Sequence, residues 1–345
     1  MAWQAIENRA LRAAGLDRID RDDLSIRRAR CGRGFRYLQG EQPVRRPKTL
    51  ARLKTLAAPP AWSDVRYASR RNAHLQCIGI DTRGRAQYIY HPRWETVRNA
   101  VKRARLKRFG RALPRIRDAV AAELAAPTSA RTLAAAAAVR LIDLTQIRIG
   151  NETYLARDGT HGASTLRPRH VECRAGKIFL RFIGKGGKHI EAEAQDRALA
   201  RWIDRFAETG GGRLFDIALD GETVRLTAED VNAFVGAHGG RGISAKDFRT
   251  FAASSMAIAG LAVAPPPESE RGRGRMLNSV ARTIVAQLNN TPAVVRASYI
   301  HPDIIEAWTK GELRPGLVKG RRRRGLDRDE TALMRFLSAH KVTPA

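Results

Sequence analysis

From the start of the chain to about Trp94, apolar residues recur in short runs set apart by turn residues, a spacing that predicts strands. Gly34–Leu38 reads as one strand, and Pro59-Pro60 breaks the chain before another at Val65–Ala68. His74–Asp81 and Arg85–His91 flank Thr82-Arg83-Gly84 and read as a hairpin with glycine in its turn. In its second strand Tyr88 and Tyr90 share a face by period-two spacing. The basic stretch Arg98–Arg115 reads as a linker or linking helix.

Beyond it the pattern turns mostly helical. Thr132–Ile147 is alanine-rich, with Leu141, Leu144 and Ile147 recurring at helical spacing. A three-stranded antiparallel sheet follows: His170–Arg174, Lys177–Ile183 and Lys188–Ala194, joined by turns at Ala175-Gly176 and Gly184-Lys185-Gly186-Gly187. Helices are expected at Asp196–Thr209, Ala228–Ala237, Ala245–Gly260, Met276–Leu288, Pro292–Ile300, Asp303–Thr309 and Asp327–His340, with a proline- and glycine-rich loop at Pro265–Gly274. The run Leu288-Asn289-Asn290-Thr291-Pro292 reads as a helix stop and a capped restart, which puts Tyr299 two turns into the new helix. The fold class is therefore α+β: a small β-rich domain over 1–96, then a larger, mainly helical domain over 97–345 that starts with the linker region.

Charge narrows the partners. The 345-residue chain carries a formal net charge of +29, with basic residues spread along its whole length. Such a field selects a polyanion, with nucleic acid first, and favours an extended surface over one flexible arm. Cys31, Cys77 and Cys173 are odd in number and far apart, so neither a disulfide framework nor a zinc site is supported, and the eight histidines show no metal-ligand spacing. The first residues lack the apolar core of a signal peptide, and the apolar stretches at Ala134–Ala138 and Met256–Ala264 are too short to span a bilayer. These features lead us to expect a soluble, cytoplasmic protein acting on nucleic acid, with no metal or cofactor and no membrane.

The candidate chemistry is metal-free transesterification of a phosphodiester. Such a reaction needs a nucleophile, cations for the non-bridging oxygens of the transition state, and a proton for the leaving oxygen. Arg148 in Ile147-Arg148-Ile149-Gly150 and Arg249 in Lys246-Asp247-Phe248-Arg249 suit the phosphate oxygens, because the guanidinium fork matches them. Asn290 can add a neutral hydrogen bond, Lys185 at a glycine-rich hairpin tip can protonate the leaving oxygen, and Tyr299 can attack. Singly, each has an ordinary reading as packing or a surface ion pair. The glycine-rich turn around Lys185 does not meet G-x-x-x-x-G-K-[ST] and lies between strands, which excludes a nucleotide loop.

Together these residues resemble the type IB DNA topoisomerases, in particular the compact poxvirus-type branch that also occurs in bacteria. The resemblance covers nearly the whole chain. It runs through Pro59–Val65, Ala73–Gln76 and Gly84–His91 in the N-terminal part, then through Arg148–Tyr154, Phe182–Gly186, Lys246–Thr250, Asn290–Ala293 and Tyr299. It implies a β-rich domain and a helical domain with the catalytic fold shared by tyrosine recombinases, clamped around duplex DNA. Tyr299 would form a 3′-phosphotyrosyl bond, with Arg148, Arg249 and Asn290 as transition-state ligands and Lys185 as general acid, assisted by Arg148. Arg85, Tyr88, Tyr90, Tyr154 and Lys246 would touch DNA. Asn290 stands where many relatives have histidine, and asparagine cannot titrate. Asn151-Glu152-Thr153 is less basic than in poxvirus relatives, so their sequence preference is not carried over.

Two rivals remain at this level. A tyrosine recombinase shares the chemistry, but usually has histidine three residues before the second arginine, where this chain has Lys246. A non-enzymatic basic DNA-binding protein would have no need of Tyr299. The run Arg321–Arg324 reads as a solvated stretch of charge.

Overall fold

Alternating strands in the N-terminal region join into one sheet. The computed structural model describes residues 2–208, 212–219 and 221–339. By packing, the chain divides between Lys102 and Arg103 into two units. The first holds α1 (Ala2–Ala13), β1 (Ile26–Cys31), β2 (Gly34–Gln39), β3 (Gln42–Pro43), α2 (Pro47–Thr55), β4 (Ser63–Tyr67), β5 (Leu75–Ile80), β6 (Ala86–Tyr90) and the start of α3 (Trp94–Ala125). Its six strands pair antiparallel in the order β3-β2-β1-β4-β5-β6. Leu53 of α2 is buried among Ile26, Val65, Tyr67 and Cys77, while Tyr88 packs on a separate cluster of Leu24, Ala68, Ala73 and Leu75.

The two helices α1 and α2 are departures from the all-strand expectation. Both carry a short apolar stripe, Ile6, Ala10 and Leu11 in α1 and Leu50 and Leu53 in α2, that the strand reading passed over, and Pro47 at the first position of α2 starts it. The linking helix is also longer than Arg98–Arg115. It runs straight through Pro114, which costs one ladder bond, because Leu113, Ile116 and Val120 are buried on either side of it.

The second unit continues with α4 (Ala130–Thr145), α5 (Glu152–Asp158), β7 (Val171–Arg174), β8 (Lys177–Gly184), β9 (Lys188–Gln195), α6 (Arg197–Glu208), β10 (Asp216–Leu219), β11 (Glu222–Arg225), α7 (Ala228–Gly239), α8 (Ala245–Leu261), α9 (Glu270–Leu288), α10 (Pro292–Val294), α11 (Pro302–Thr309), α12 (Gly316–Lys319) and α13 (Arg328–Ala339). Strands β7, β8 and β9 form the expected antiparallel sheet, and β10 pairs with β11. Buried and exposed residues alternate along β8, as a half-buried strand requires. α4 is enclosed: Leu133 to Val139, Leu141 and Ile142 are all buried. Alanines at 134–138 let neighbouring elements approach closely, and Ser129 caps the helix by accepting the Thr132 amide at 3.1 Å.

Sequence pattern and structure part in five further places. α5, the β10–β11 hairpin and α12 are short and escape a periodicity test. α9 begins inside the expected loop, because Ser269 caps it by accepting from the Gly272 amide at 3.1 Å, and a local cap outweighs glycine content. The helix expected over Pro292–Ile300 is a short α-turn followed by a π-turn, Val295–Tyr299. The expected helix ends at Thr209 and His340 lie outside the described residues.

One ionic cluster ties three helices together. Arg117 of α3 donates to Asp143 of α4 at 2.8 Å, to Glu330 of α13 at 2.7 Å and to the Gly325 carbonyl at 2.9 Å. Both carboxylates are more than nine-tenths buried. Removing the cation leaves buried Glu330 without a cationic partner and Asp143 with only Arg140 at 3.5 Å, so Arg117→Ala is expected to lower unfolding stability by about 3–5 kcal/mol in urea titrations. A loss below about 1 kcal/mol would show the cluster to behave like a surface ion pair.

Candidate active site

Helix ends and one tight turn bring the chemistry together. α4 stops at Gln146, which takes the left-handed conformation at φ 57°. α9 stops in the same way at Asn289, with φ 51°. The last carbonyls of a helix lack partners within it and carry partial negative charge. Here the Gln146 and Leu288 carbonyls both accept from Arg249, at 2.8 Å in the Leu288 case. Arg249, in α8, is 4% exposed. No carboxylate among the described residues pairs with Arg249 or Arg148, so its positive charge is held by dipoles alone.

Arg148 sits two residues beyond the α4 stop. Its carbonyl and that of Ile149 accept the amides of Ala163 and Ser164 at 2.8 and 2.7 Å. Gly162 is required for this approach, because a Cβ there would lie 2.6 Å from the Arg148 carbonyl oxygen. Gly150, at φ 94°, turns the chain away. The Arg148 guanidinium donates to Asn290 Oδ1 at 2.7 Å, and Asn290 Nδ2 donates to the Leu288 carbonyl at 3.3 Å. The two arginines are thereby joined through Asn290 and the end of α9.

Tyr299 ends the π-turn. The Arg249 guanidinium lies 5.4 Å from its ring centroid. Burial pushes the phenol pKa up. The Arg249 charge and hydrogen bond, the Arg148 charge and an Asn290 hydrogen bond outweigh it and hold the phenol below its ordinary value. In turn, burial and the neighbouring Arg148 lower the Arg249 pKa, with Tyr299 acting in the opposite sense. Two cations facing one polarised phenol, with no anion to neutralise them, form a site for an anionic, tetrahedral group.

Lys185 reaches the same place from the β8–β9 turn, where Gly186 and Gly187 take φ 78° and 72°. It lines an open cleft of about 760 Å³ together with Arg148, Arg249, Asn290, Tyr299, Lys188 and Lys246. Its ammonium lies 5.0 Å over the ring of Tyr154, on α5. All five residues expected to do chemistry therefore meet in one cleft, with Lys246 at its wall. Among the described residues no group of three or more His, Cys, Asp or Glu could hold a metal, and no helix is long and apolar enough to cross a membrane.

The first unit carries Arg85, Tyr88 and Tyr90 on its hairpin. Asp81 fixes Arg85 in the turn: its carboxylate accepts from the Arg85 amide and side chain, the Arg83 amide and Gln87, which keeps it well below the usual carboxylate range. Tyr88 and Tyr90 stack at 6.1 Å, as their shared face requires, and Trp94 extends the stack at 5.6 Å from Tyr90. Trp94 escaped the sequence reading because it belongs to the next helix, outside the period-two pattern. The Gln146 and Leu288 carbonyls escaped it for a different reason: main-chain groups leave no letter.

Comparison with known proteins accords with this geometry. A family model described as eukaryotic DNA topoisomerase I, catalytic core, matches residues 92–312, a span that contains every residue of the cleft. A second, described as bacterial DNA topoisomerase IB, N-terminal domain, matches residues 34–81 within the six-stranded sheet. A protein named DNA topoisomerase 1B from Acanthamoeba polyphaga mimivirus is 27% identical over 269 residues, covering 76% of this chain and 80% of that protein. With the catalytic-core match spanning well over half of its length, the chain belongs to the type IB DNA topoisomerase family.

Proposed function

We propose that the chain relaxes supercoiled duplex DNA by opening one strand through Tyr299 and resealing it. The observation that carries the assignment of roles is the meeting of Tyr299, Arg148, Arg249, Asn290 and Lys185 in one cleft that has cations and no carboxylate partner for its arginines. Tyr299, its phenol already polarised by Arg249, loses its proton to solvent and attacks phosphorus as the phenoxide. The bond to the 5′ oxygen breaks as a 3′-phosphotyrosyl bond forms, and bond energy is kept for resealing. Arg148 and Arg249 neutralise the non-bridging oxygens, Asn290 adds a neutral hydrogen bond, and Lys185 gives its proton to the departing oxygen. Resealing reverses each step, with Lys185 taking the proton back.

In this reading residues 1–96 form a DNA-contacting domain and 97–345 the catalytic domain. Arg85, Tyr88, Tyr90, Tyr154 and Lys246 contact DNA, and the protein works as a monomer on duplex DNA in the cytoplasm, associated with the nucleoid. Lys246 three residues before Arg249, and a six-stranded sheet in the first unit, set it apart from the recombinase alternative.

Relaxation of both positive and negative supercoils is expected in EDTA without ATP, read on plasmid topoisomers in a gel. Complete loss in EDTA, restored by magnesium, would contradict a site whose charge comes from arginines. Binding is expected to weaken steeply between roughly 50 and 200 mM salt, as counterion release requires.

Tyr299→Phe removes one hydroxyl and keeps the ring on Arg249. It is expected to abolish the covalent adduct while leaving duplex affinity nearly intact, measured by denaturing gel and filter binding. A residual adduct would identify another nucleophile.

Lys185→Ala is expected to slow cleavage by about 10² to 10⁴. A bridging 5′ sulfur leaves as a thiolate, with a thiol pKa of about 8.5, and needs no donor. Lys185→Ala is therefore expected to cleave a sulfur-bridged strand almost as fast as the unaltered protein, while Arg249→Ala and Asn290→Ala stay slow. Without that rescue Lys185 is a phosphate ligand, and the acid lies elsewhere.

A further inference from the structure

Ser254 lies in α8, five residues after Arg249, and is fully buried. A buried serine in a helix usually bonds to the carbonyl four residues back, as neighbouring Ser255 does with Phe251 at 2.8 Å. Ser254 does otherwise. Its hydroxyl crosses to the π-turn and donates to the backbone carbonyl of Tyr299 at 3.0 Å.

The following stretch of chain offers that carbonyl little else. Residue 302 is proline and has no N–H. The Asp303 amide donates to His301 Nδ1 at 3.2 Å, and the Ile304 amide to the His301 carbonyl at 3.0 Å. The π-turn itself closes with the Ile300 amide on the Val295 carbonyl at 3.0 Å. A π-turn holds one more residue than an α-turn and is rare outside functional sites, so a contact from another element can set which register it keeps. Slipping by one residue would swing the Tyr299 side chain by about 100° about the local axis.

α8 thus holds both partners. It carries the Arg249 guanidinium at 5.4 Å from the Tyr299 ring, and through Ser254 it grips the backbone from which that ring projects. We infer that Ser254 is a positioning residue for strand cleavage, holding the π-turn in the register that sets the Tyr299 hydroxyl against Arg249, Arg148 and Asn290. It is not among the residues that line the cleft, so it acts through the Tyr299 backbone and touches neither phosphate nor hydroxyl. The inference rests on Tyr299 being the nucleophile.

The charged groups around that hydroxyl are Arg249 from α8 and Arg148 from the segment after α4, with Lys185 and Lys188 from the β8–β9 turn and Lys246 from α8 lining the same cleft. Moving the hydroxyl away from the two arginines removes the charge that favours phenoxide. The phenol pKa then rises, and cleavage needs a higher pH.

The test is single-turnover cleavage of a duplex with a bridging 5′ sulfur, followed across pH, so that the profile reports the nucleophile without the acid. Ser254→Ala is expected to slow cleavage about 3- to 10-fold, the range of one lost hydrogen bond, and to move the midpoint of the profile upward. Resealing is expected to slow by a similar factor, because both directions cross the same transition state. Ser254→Thr, which restores a hydroxyl, is expected to recover part of both effects. Ser255→Ala, equally buried but bonded within its own helix, is expected to leave the midpoint in place. If Ser254→Ala does not fold, Ser254→Cys is read in the same way. A slower rate with an unmoved midpoint, or no change at all, overturns the inference. Its failure is distinct from failure of the mechanism: an adduct surviving in Tyr299→Phe sinks the nucleophile assignment, whereas an unaltered Ser254→Ala profile beside an inert Tyr299→Phe sinks only Ser254.

Discussion

A guanidinium buried without a carboxylate is the constraint on which the catalytic unit is built. Arg249 is held by the carbonyl ends of two helices, α4 through Gln146 and α9 through Leu288. Helix termini supply partial charges of roughly half a unit, enough to seat a cation without neutralising it. A carboxylate partner would have made a more ordinary ion pair, but it would also have competed with phosphate for the same fork. Helix ends leave the charge available. That choice fixes where α4, α8 and α9 must meet, and the left-handed stops at Gln146 and Asn289 follow from it.

The rest of the cleft inherits this geometry. Arg148 is directed by the segment that leaves the α4 stop, and Asn290 by the residue after the α9 stop, so the two groups meet at 2.7 Å because their helices already meet at Arg249. The π-turn then returns the chain with Tyr299 over the same guanidinium. The proposed nucleophile and its charge stabilisers are thus not independent attachments. The force that lowers the phenol's pKa is the force that would hold the phosphate. Lys185 differs: it stands on a glycine-rich turn at the edge of the small sheet, exposed and resting near Tyr154, as the proposed proton donor to the leaving oxygen would need.

Charge works at two scales in this topoisomerase. The net +29 draws a polyanion from a distance, and its strength depends on ionic strength. Inside the cleft, burial removes most of that screening, and the same kind of charge acts on one tyrosine. Structural ion pairs are kept apart from both: Arg117 with Asp143 and Glu330 ties α3, α4 and α13 together and does not enter the cleft.

Local chemistry was legible in the letters themselves. The three-stranded sheet and its glycine turn around Lys185, the Thr291-Pro292 restart and the hairpin bearing Tyr88 and Tyr90 all rest on period, cap and turn rules that act within a few residues. The residues singled out for phosphate chemistry, Arg148, Lys185, Arg249, Asn290 and Tyr299, are brought by the fold into one cleft. Short-range rules failed where packing decided the outcome. Pro114 is carried through α3 by buried neighbours, and the turn at Tyr299 is π where cap and proline alone indicated α. Three features exist only in the folded chain: the Gln146 and Leu288 carbonyls on Arg249, the Cβ-sized gap that Gly162 leaves for Arg148, and the Ser254 bond to the Tyr299 backbone. Main-chain groups and long-range contacts have no sequence signature, because what a carbonyl bonds to depends on which helix end arrives beside it.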